Sequence, residues 1–547
     1  MRLKFTVKNC LRRPETFSRK GFWTSQSFSL SKVLGAAGNL ALREGLFQKG
    51  SWPPEAKYAD LAWVDTFIDN VKPYIFVRLE DNLLIKRPNT ATKLNPMGAR
   101  VLYSLLQGTS IRQLLNDIGR EPGKVADVTY FLAAVKQYLE GTLDEFSLNP
   151  AVETVPFEMN FSQYPVLSEV ALTYRCNLKC RFCYAGCNKK KPSPLSRKLA
   201  WTPQSFSLSK VFGGVGTFFQ KGPDPSETEE MSAAQVKKIL KRLFHQAKVP
   251  SVSFTGGEPL LSPALPKLIR YAKGLGMRVN LITNGTLVTE KVARVLADSG
   301  LDSAQVSLEG VTPAIHDAIV QCSGAFQKTV AAVQRLKEKG IRTHTNTTIT
   351  GENLEECEEM PLFVKNILNN ERFSMNLVIP TGSGALHSTV PVKYSEIAPH
   401  LDTIIENSKA QGVEFMWYSP VPMCMFNSIL HNLGNKGCSA CDGLISIAPN
   451  GDVLPCASYA DPVGNLLKQD FTAIWQSVGA ARYRAKSLAH PGCKSCDHFH
   501  ICNGACPLYW QHMGFAELTP FIKVPAAVHA VDLTAAQAAR QENIGEN

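Results

Sequence analysis

Thr173-Tyr-Arg-Cys-Asn-Leu-Lys-Cys-Arg-Phe-Cys-Tyr-Ala-Gly-Cys187 is the stretch that decides how this chain is read. Its first three cysteines, Cys176, Cys180 and Cys183, form a Cys-x3-Cys-x2-Cys array with Phe182 ahead of the third. Thiolate is the ligand that iron–sulfur clusters take, and three thiolates this close in sequence can grip three corners of a cube. One iron is then left without a protein ligand. An open coordination position separates a catalytic metal centre from a structural one, a logic best documented for zinc. The preceding Leu167-Ser-Glu-Val-Ala-Leu-Thr-Tyr reads as a buried strand, so the array sits on the loop leaving its C-terminal end. In barrels of βα units that end is where sites are built. Taken alone, the array also fits a zinc knuckle or a redox-sensing thiol cluster.

Downstream, strand and helix alternate to about residue 420. Glu230-Met-Ser-Ala-Ala-Gln-Val-Lys-Lys-Ile-Leu is an amphipathic helix with Ser232 as its cap. Strand-like runs follow from Val252, Val279, Ser303, Thr343 and Phe373, most of them separated by helical stretches. Alternating βα units imply a parallel sheet, here a partial barrel of about six strands.

The array resembles the signature of the radical S-adenosylmethionine (SAM) enzymes. Phe254-Thr-Gly-Gly-Glu-Pro259, in register after it, is similar to the family's Gly-Gly-Glu motif. Two glycines let backbone approach a ligand closely, and the Glu258 carboxylate can meet an ammonium group. The resemblance implies a 4Fe-4S cluster on Cys176, Cys180 and Cys183, whose open iron chelates SAM. It also implies Phe182 at the adenine and Gly256, Gly257 and Glu258 at the methionine end. Asn284 of Thr283-Asn-Gly-Thr286 and Ser307 of Val306-Ser-Leu-Glu-Gly310 fall where the family reads ribose and carboxylate, although Asn-Gly is also common turn chemistry. His316-Asp-Ala-Ile-Val-Gln resembles a segment that usually carries arginine and glycine after the isoleucine. Val320 and Gln321 stand there instead, which puts an anion contact at that point in doubt. Pro380-Thr-Gly-Ser-Gly384 resembles the last barrel loop.

Fifteen cysteines point to metal rather than disulfides, because twelve of them crowd into 176–187 and 424–506. Cys441-x9-Gly451-x4-Cys456, then Cys493-x2-Cys496-x5-Cys502-x3-Cys506, resembles the SPASM extension of radical SAM maturases. By that resemblance Cys441, Cys456 and Cys506 serve one auxiliary cluster, with Cys438 as fourth ligand and Cys424 its rival. Cys493, Cys496 and Cys502 serve another. No cysteine follows Cys506, so the second cluster borrows Asp497, His498, His500 or His512, keeps an open iron, or is incomplete. Two zinc sites are the competing reading of this field. Cys10, Cys187, Cys322 and Cys357 are expected to be free thiols.

Upstream, Ile75-Phe-Val and Leu83-Leu-Ile-Lys-Arg read as strands. Helices are expected from Asn95-Pro-Met, Thr109-Ser-Ile and Val125-Ala-Asp. The order suggests a winged helix, and Lys93-Leu-Asn-Pro with Gln107-Gly-Thr-Ser-Ile resembles the PqqD-like peptide-recognition domain. Such domains hold an extended leader peptide as an added strand. Packing on the barrel and DNA binding are the alternatives. DNA is disfavoured because the helix from Val125 to Tyr138 carries one lysine. Trp23-Thr-Ser-Gln-Ser-Phe-Ser-Leu-Ser-Lys-Val-Leu returns as Trp201-Thr-Pro-Gln-Ser-Phe-Ser-Leu-Ser-Lys-Val-Phe. Two distant copies cannot stack as a repeat fold, so both are read as an inserted element.

The 547 residues carry a net charge of +12, with lysine and arginine spread along the whole chain. A solvated basic surface, rather than a nucleic-acid patch, is the meaning taken. No run is long and apolar enough for a membrane span, and the basic N-terminus lacks a secretory signal's apolar core. A cytoplasmic protein is expected. The expected α/β layout is an N-terminal segment with insert (1–68), a PqqD-like winged helix (69–147), a partial (β/α)6 radical SAM barrel (160–420, insert at about 196–226), a cysteine-rich SPASM domain (421–515) and a tail (516–547). The resemblance implies an oxidoreductase that cleaves SAM to a 5′-deoxyadenosyl radical and modifies a ribosomal peptide. One or two auxiliary clusters and an electron donor such as flavodoxin or ferredoxin would serve it. Maturation of a tetrapyrrole or quinone cofactor is the alternative, and a non-catalytic metal scaffold or regulator the third.

Overall fold

The computed structural model describes residues 61–87, 90–119, 121–140, 162–187 and 229–522. Both copies of the repeated segment, the insert at about 196–226 and the tail beyond residue 522 lie outside them. The chain divides into two compact units.

The smaller unit runs α1 (Trp63–Val71), β1 (Ile75–Arg78), β2 (Leu83–Lys86), β3 (Thr90–Lys93), α2 (Pro96–Leu106), α3 (Ile111–Ile118) and α4 (Pro122–Glu140). Its sheet has the order β1-β2-β3, with β1 and β2 antiparallel. The β1–β2 connection is held by a bidentate pair, Arg78 Nε to Asp81 Oδ1 at 2.8 Å and Nη2 to Oδ2 at 2.9 Å. Both side chains are buried, so removing either partner would cost about 3–5 kcal/mol. Helix α2 starts where the sequence signals it, with Asn95 Oδ1 accepting from the Gly98 amide at 2.7 Å and Pro96 in the first turn. Two elements were not foreseen. β3 is too polar for its alternation to register. Helix α1 buries Val64, Phe67 and Ile68, so the core begins at Leu61, ahead of the expected boundary at 69.

The larger unit is built on a ten-stranded sheet ordered β10-β9-β8-β7-β6-β5-β4-β11-β12-β13. The seven barrel strands run parallel: β4 (Leu167–Ala171), β5 (Ser251–Thr255), β6 (Arg278–Thr283), β7 (Ser303–Ser307), β8 (Arg342–Ile349), β9 (Arg372–Leu377) and β10 (Glu414–Trp417). Helices α5 (Ala233–His245), α6 (Leu265–Gly274), α7 (Glu290–Asp298), α8 (Pro313–Val320), α9 (Ala325–Glu338), α10 (Leu354–Asn366) and α11 (Ile397–Gln411) connect them. Ser232 caps α5 through a full capping box with Gln235. The six expected strands are joined by a seventh, β10.

The strands alternate in character. Val252, Phe254, Val279, Leu281, Ala304, Val306, Phe373 and Met375 are buried in one apolar core with the helices. The residues between them are polar and bond to one another across strands. Ser303 Oγ donates to Asn280 Oδ1 at 2.6 Å, Ser374 Oγ to Asn346 Oδ1 at 2.9 Å, and Asn346 Nδ2 to Asn376 Oδ1 at 2.8 Å. A parallel sheet covered on both faces reads as continuous apolar runs. The period of two marks the second face as a polar lumen.

The cysteine-rich segment does not form a separate sheet. β11 (Leu444–Ile447) pairs in parallel with β4, and β12 (Asp452–Leu454) and β13 (Gly464–Asn465) extend it antiparallel. Among the described residues no helix is long and apolar enough to cross a membrane.

Candidate active site

The cysteine loop leaves β4 and is gripped from three sides. From β5, the Gly257 amide donates to the Thr173 carbonyl at 2.8 Å and the Glu258 amide to the Arg175 carbonyl at 2.9 Å. A Cβ on Gly256, whose φ is +133°, would lie 2.1 Å from Thr173 O, and one on Gly257 2.3 Å from Arg175 O. Both glycines are therefore needed by the array's own backbone, whatever ligand they also meet.

From β9, the Ser383 amide donates to the Cys183 carbonyl at 2.8 Å. Gly382 takes a left-handed φ of +56° beneath Tyr184, where a Cβ would lie 2.2 Å from the Tyr184 carbonyl oxygen. The third side is the end of α8. Lys179 and Arg181 amides donate to the Val320 and Ile319 carbonyls, each at 3.1 Å, and Leu178 packs on Val320 and Ala325. At the two positions where arginine and glycine were expected, Val320 is buried under Leu178. Gln321 adopts a left-handed φ of 53°, the conformation a glycine would take without strain. Arg181 also pairs with Glu352 at 2.9 Å.

Within the loop, Cys176 Sγ accepts from the Leu178 amide at 3.4 Å and from Asn284 Nδ2 at 3.8 Å. Burial pushes the Cys176 thiol up to about 11. Cys180 is raised well above the ordinary thiol value, by burial and then by the Glu309 carboxylate. Cys183 is pulled down to about 6, chiefly by a hydrogen bond from Cys187. Cys187 is a free thiol, as expected, and is buried beside Cys183. Among the described residues no three His, Cys, Asp or Glu side chains converge on one ion position. A cube is held at separate corners, and an all-thiol donor set is what it takes.

Glu258 is fully buried, and its oxygens accept from the Leu260 amide at 3.0 Å, Thr283 Oγ1 at 2.9 Å and the Asn284 amide at 2.9 Å. Burial lifts its carboxyl to about 7. Three internal donors thus already engage the side chain expected at an ammonium, and it ties the end of β6 to the array. Asn284 holds Asn177 Oδ1 at 3.0 Å, while its own Oδ1 accepts from the Thr286 amide at 2.9 Å. Ser307 closes β7 opposite Asn346 and is half-buried, as is Phe182, whose backbone flanks Gly384.

Two interior carboxyls were missed. Glu309 is buried and raised to about 8 by burial, with the Thr348 amide donating to it at 2.8 Å. Glu169 on β4 is raised by burial and accepts from Ser446 Oγ at 3.0 Å. Glu309 lies inside the quoted Ser-Leu-Glu-Gly run, so strand-end position could have flagged it. Nothing local marks Glu169.

In the C-terminal field, burial and neighbouring thiols raise several of the sulfurs. Cys441 and Cys506 rise to about 12, each with Cys438 among its causes after burial, and Cys456 is raised by burial, Cys438 and Cys506. Cys438, Cys441, Cys456 and Cys506 therefore form one group. Buried Lys486 borders it, donating to the Cys438 carbonyl at 2.7 Å and to Asp442 at 3.0 Å. Cys493 is raised to about 12 by burial and then by Cys502, with Cys496 a further cause, which sets these three in a second group.

Residues 170–364 match the Radical SAM superfamily, and residues 438–497 match SPASM, an iron-sulfur cluster-binding domain. The AdoMet-dependent heme synthase of Oleidesulfovibrio alaskensis is 27% identical over 337 residues, 57% of this chain and 83% of that protein. The mycofactocin maturase MftC of Mycobacterium tuberculosis is 25% identical over 356 residues, 62% of this chain and 78% of that protein. The crystal structure of Streptococcus suis SuiB bound to precursor peptide SuiA shares the fold. Its TM-score is 0.56 at 17% identity, covering 81% of this chain and 96% of that one.

Proposed function

We propose that this chain, which carries a radical SAM domain followed by a SPASM iron–sulfur cluster-binding domain, modifies a ribosomally made peptide by hydrogen abstraction. Cys176, Cys180 and Cys183 would hold the SAM-binding cluster, and the C-terminal thiols the auxiliary ones. When bound, the first cluster supplies the electron that cleaves SAM and releases the 5′-deoxyadenosyl radical. The chain's own residues do the rest. Gly256, Gly257 and Gly382 let neighbouring loops clamp the array, and Glu258 fixes Asn284 beside Cys176. The polar lumen offers amide and hydroxyl groups to a substrate.

The observation that carries the peptide reading is the smaller unit, a three-stranded sheet backed by helices. An edge strand of such a sheet can take up an extended peptide. SuiB, similar in fold, was crystallised with a precursor peptide. A second reading, maturation of a tetrapyrrole or quinone cofactor, is favoured by the likeness to AdoMet-dependent heme synthase.

The test is anaerobic. The reconstituted chain is given SAM and dithionite, and 5′-deoxyadenosine is quantified with and without candidate substrates. Product that vanishes in Cys180→Ala supports the radical SAM assignment. Stimulation by a leader-bearing precursor peptide supports the peptide reading, whereas stimulation by a tetrapyrrole alone sinks it.

A further inference from the structure

We infer that Cys424, from the loop that leaves β10, is the fourth thiolate of the second auxiliary cluster. The inference rests on the reading of the C-terminal thiols as cluster ligands. It departs from the expected pattern, in which a cysteine downstream supplies that ligand.

The loop after β10 is pinned on both sides of Cys424. Ser419 Oγ accepts from the Leu377 amide at 2.7 Å, and Val421 and Phe426 are buried in the core of the larger unit. The amides of Met425 and Phe426 both donate to the Pro422 carbonyl, at 2.9 and 3.0 Å, which folds a tight turn around the cysteine. Between these buried anchors Cys424 is exposed, so no apolar packing accounts for it. What the turn does is deliver it to the second thiol group. The Met423 amide, one residue away, donates to Cys502 Sγ at 3.4 Å.

The turn carrying Cys424 in the barrel's last loop thus lies against the segment of Cys502, which with Cys493 and Cys496 comes from the turns and short helices around Pro491–Lys494 and Phe499–Cys502. Asp497, His498, His500 and His512 are not needed as substitutes. A cluster with a thiolate at every iron has no open position for SAM or substrate, so its part is to pass electrons. It would also tie the end of the barrel to the C-terminal helices.

The experiment uses the whole chain, reconstituted anaerobically, and treats it with iodoacetamide before and after iron chelation, followed by mass mapping of each cysteine. Cys424, Cys493, Cys496 and Cys502 should all be protected in the loaded protein and all alkylated after chelation. Alkylation of Cys424 alone in the loaded protein overturns the inference and leaves the cluster reading intact. Alkylation of all four overturns the cluster reading itself. In a second arm, three four-iron clusters hold about twelve irons per chain, and Cys424→Ala should lower this to about eight or convert one cluster to a three-iron signal in electron paramagnetic resonance. His498→Ala, His500→Ala and Asp497→Ala should keep the full complement. A Cys424→Ala protein with undiminished iron and an unchanged spectrum would sink the idea. If that variant fails to fold, the alkylation of the natural protein still decides.

Discussion

Cys176, Cys180 and Cys183 fall within eight residues of a single loop, while the C-terminal thiols are drawn from four separate places. Those are the turn after β10, the approach to β11, the end of β12, and the short helices up to the cap of Pro507–Met513. The local array needs little from the rest of the chain to bring its sulfurs together, but a great deal to aim them. Backbone from β5, β9 and α8 clamps it through bonds of 2.8–3.1 Å. The dispersed field has the opposite economy, since folding itself must assemble each thiol group. One site is therefore vulnerable at its supports, the other at its ligands.

The sharpest way to break that contrast is Gly257→Ala. The added methyl would meet Arg175 O at 2.3 Å and displace the array without touching a cysteine. A shift of about 1 Å at a reacting centre can lower the rate about 100-fold, so 5′-deoxyadenosine formation should fall by that order. The auxiliary signals in electron paramagnetic resonance should stay. Unchanged turnover would mean that the clamp does not aim the array.

Cys456→Ala probes the dispersed field. About a third of the iron should be lost, with cleavage of SAM persisting while the modified product disappears. Product formation at the natural rate would exclude an electron-transfer role for that group.

A smaller effect is expected with acid. His316, almost fully buried, accepts from the Glu309 amide at 3.0 Å through Nδ1, and burial lowers it from 6.5 to about 4. A histidine held neutral in the fold but free to protonate when unfolded favours the fold above pH 6.5. That stability is lost as pH falls toward 4, by up to about 3 kcal/mol. Urea midpoints across this range should fall less steeply with acid in His316→Asn than in the natural chain. Identical slopes would mean that His316 is not part of the acid response.

The mildest change is a gain. Gln321 sits in the left-handed region at φ 53°, and Gln321→Gly should raise stability by about 1 kcal/mol, read as a higher denaturant midpoint. A loss instead would mean that the Gln321 side chain contributes a contact worth more than the strain.

The same contrast explains what the sequence made legible. Cys-x3-Cys-x2-Cys, Gly-Gly-Glu and the βα alternation are short-range patterns, and the parallel sheet they announce is present, with Ser232 capping α5 as expected. Glu258 was expected to meet an ammonium group, whereas its internal partners, Thr283 and Asn284, lie a strand away and are fixed only by the register of β5 against β6. The grouping of Cys438 with Cys441, Cys456 and Cys506 was expected from the resemblance alone; what brings these residues together is how the loops return to one another, which local spacing does not encode. β3 escaped because Thr90-Ala-Thr-Lys carries no large apolar residue, whereas β1 and β2, no longer, are rich in Ile, Leu, Val and Phe. β10 escaped because Glu414-Phe-Met-Trp carries no turn signal of its own beyond the glycine before it.

The parallel pairing of β11 with β4 has a practical consequence for anyone cutting this chain. A fragment ended near residue 420 would strip β4 of its neighbour and leave a row of unpaired amides and carbonyls beside the cysteine loop. Native sheets shield such edges because they template pairing with other molecules. The C-terminal segment thus doubles as an edge guard, and a barrel expressed without it should be recovered as aggregate rather than as a minimal enzyme.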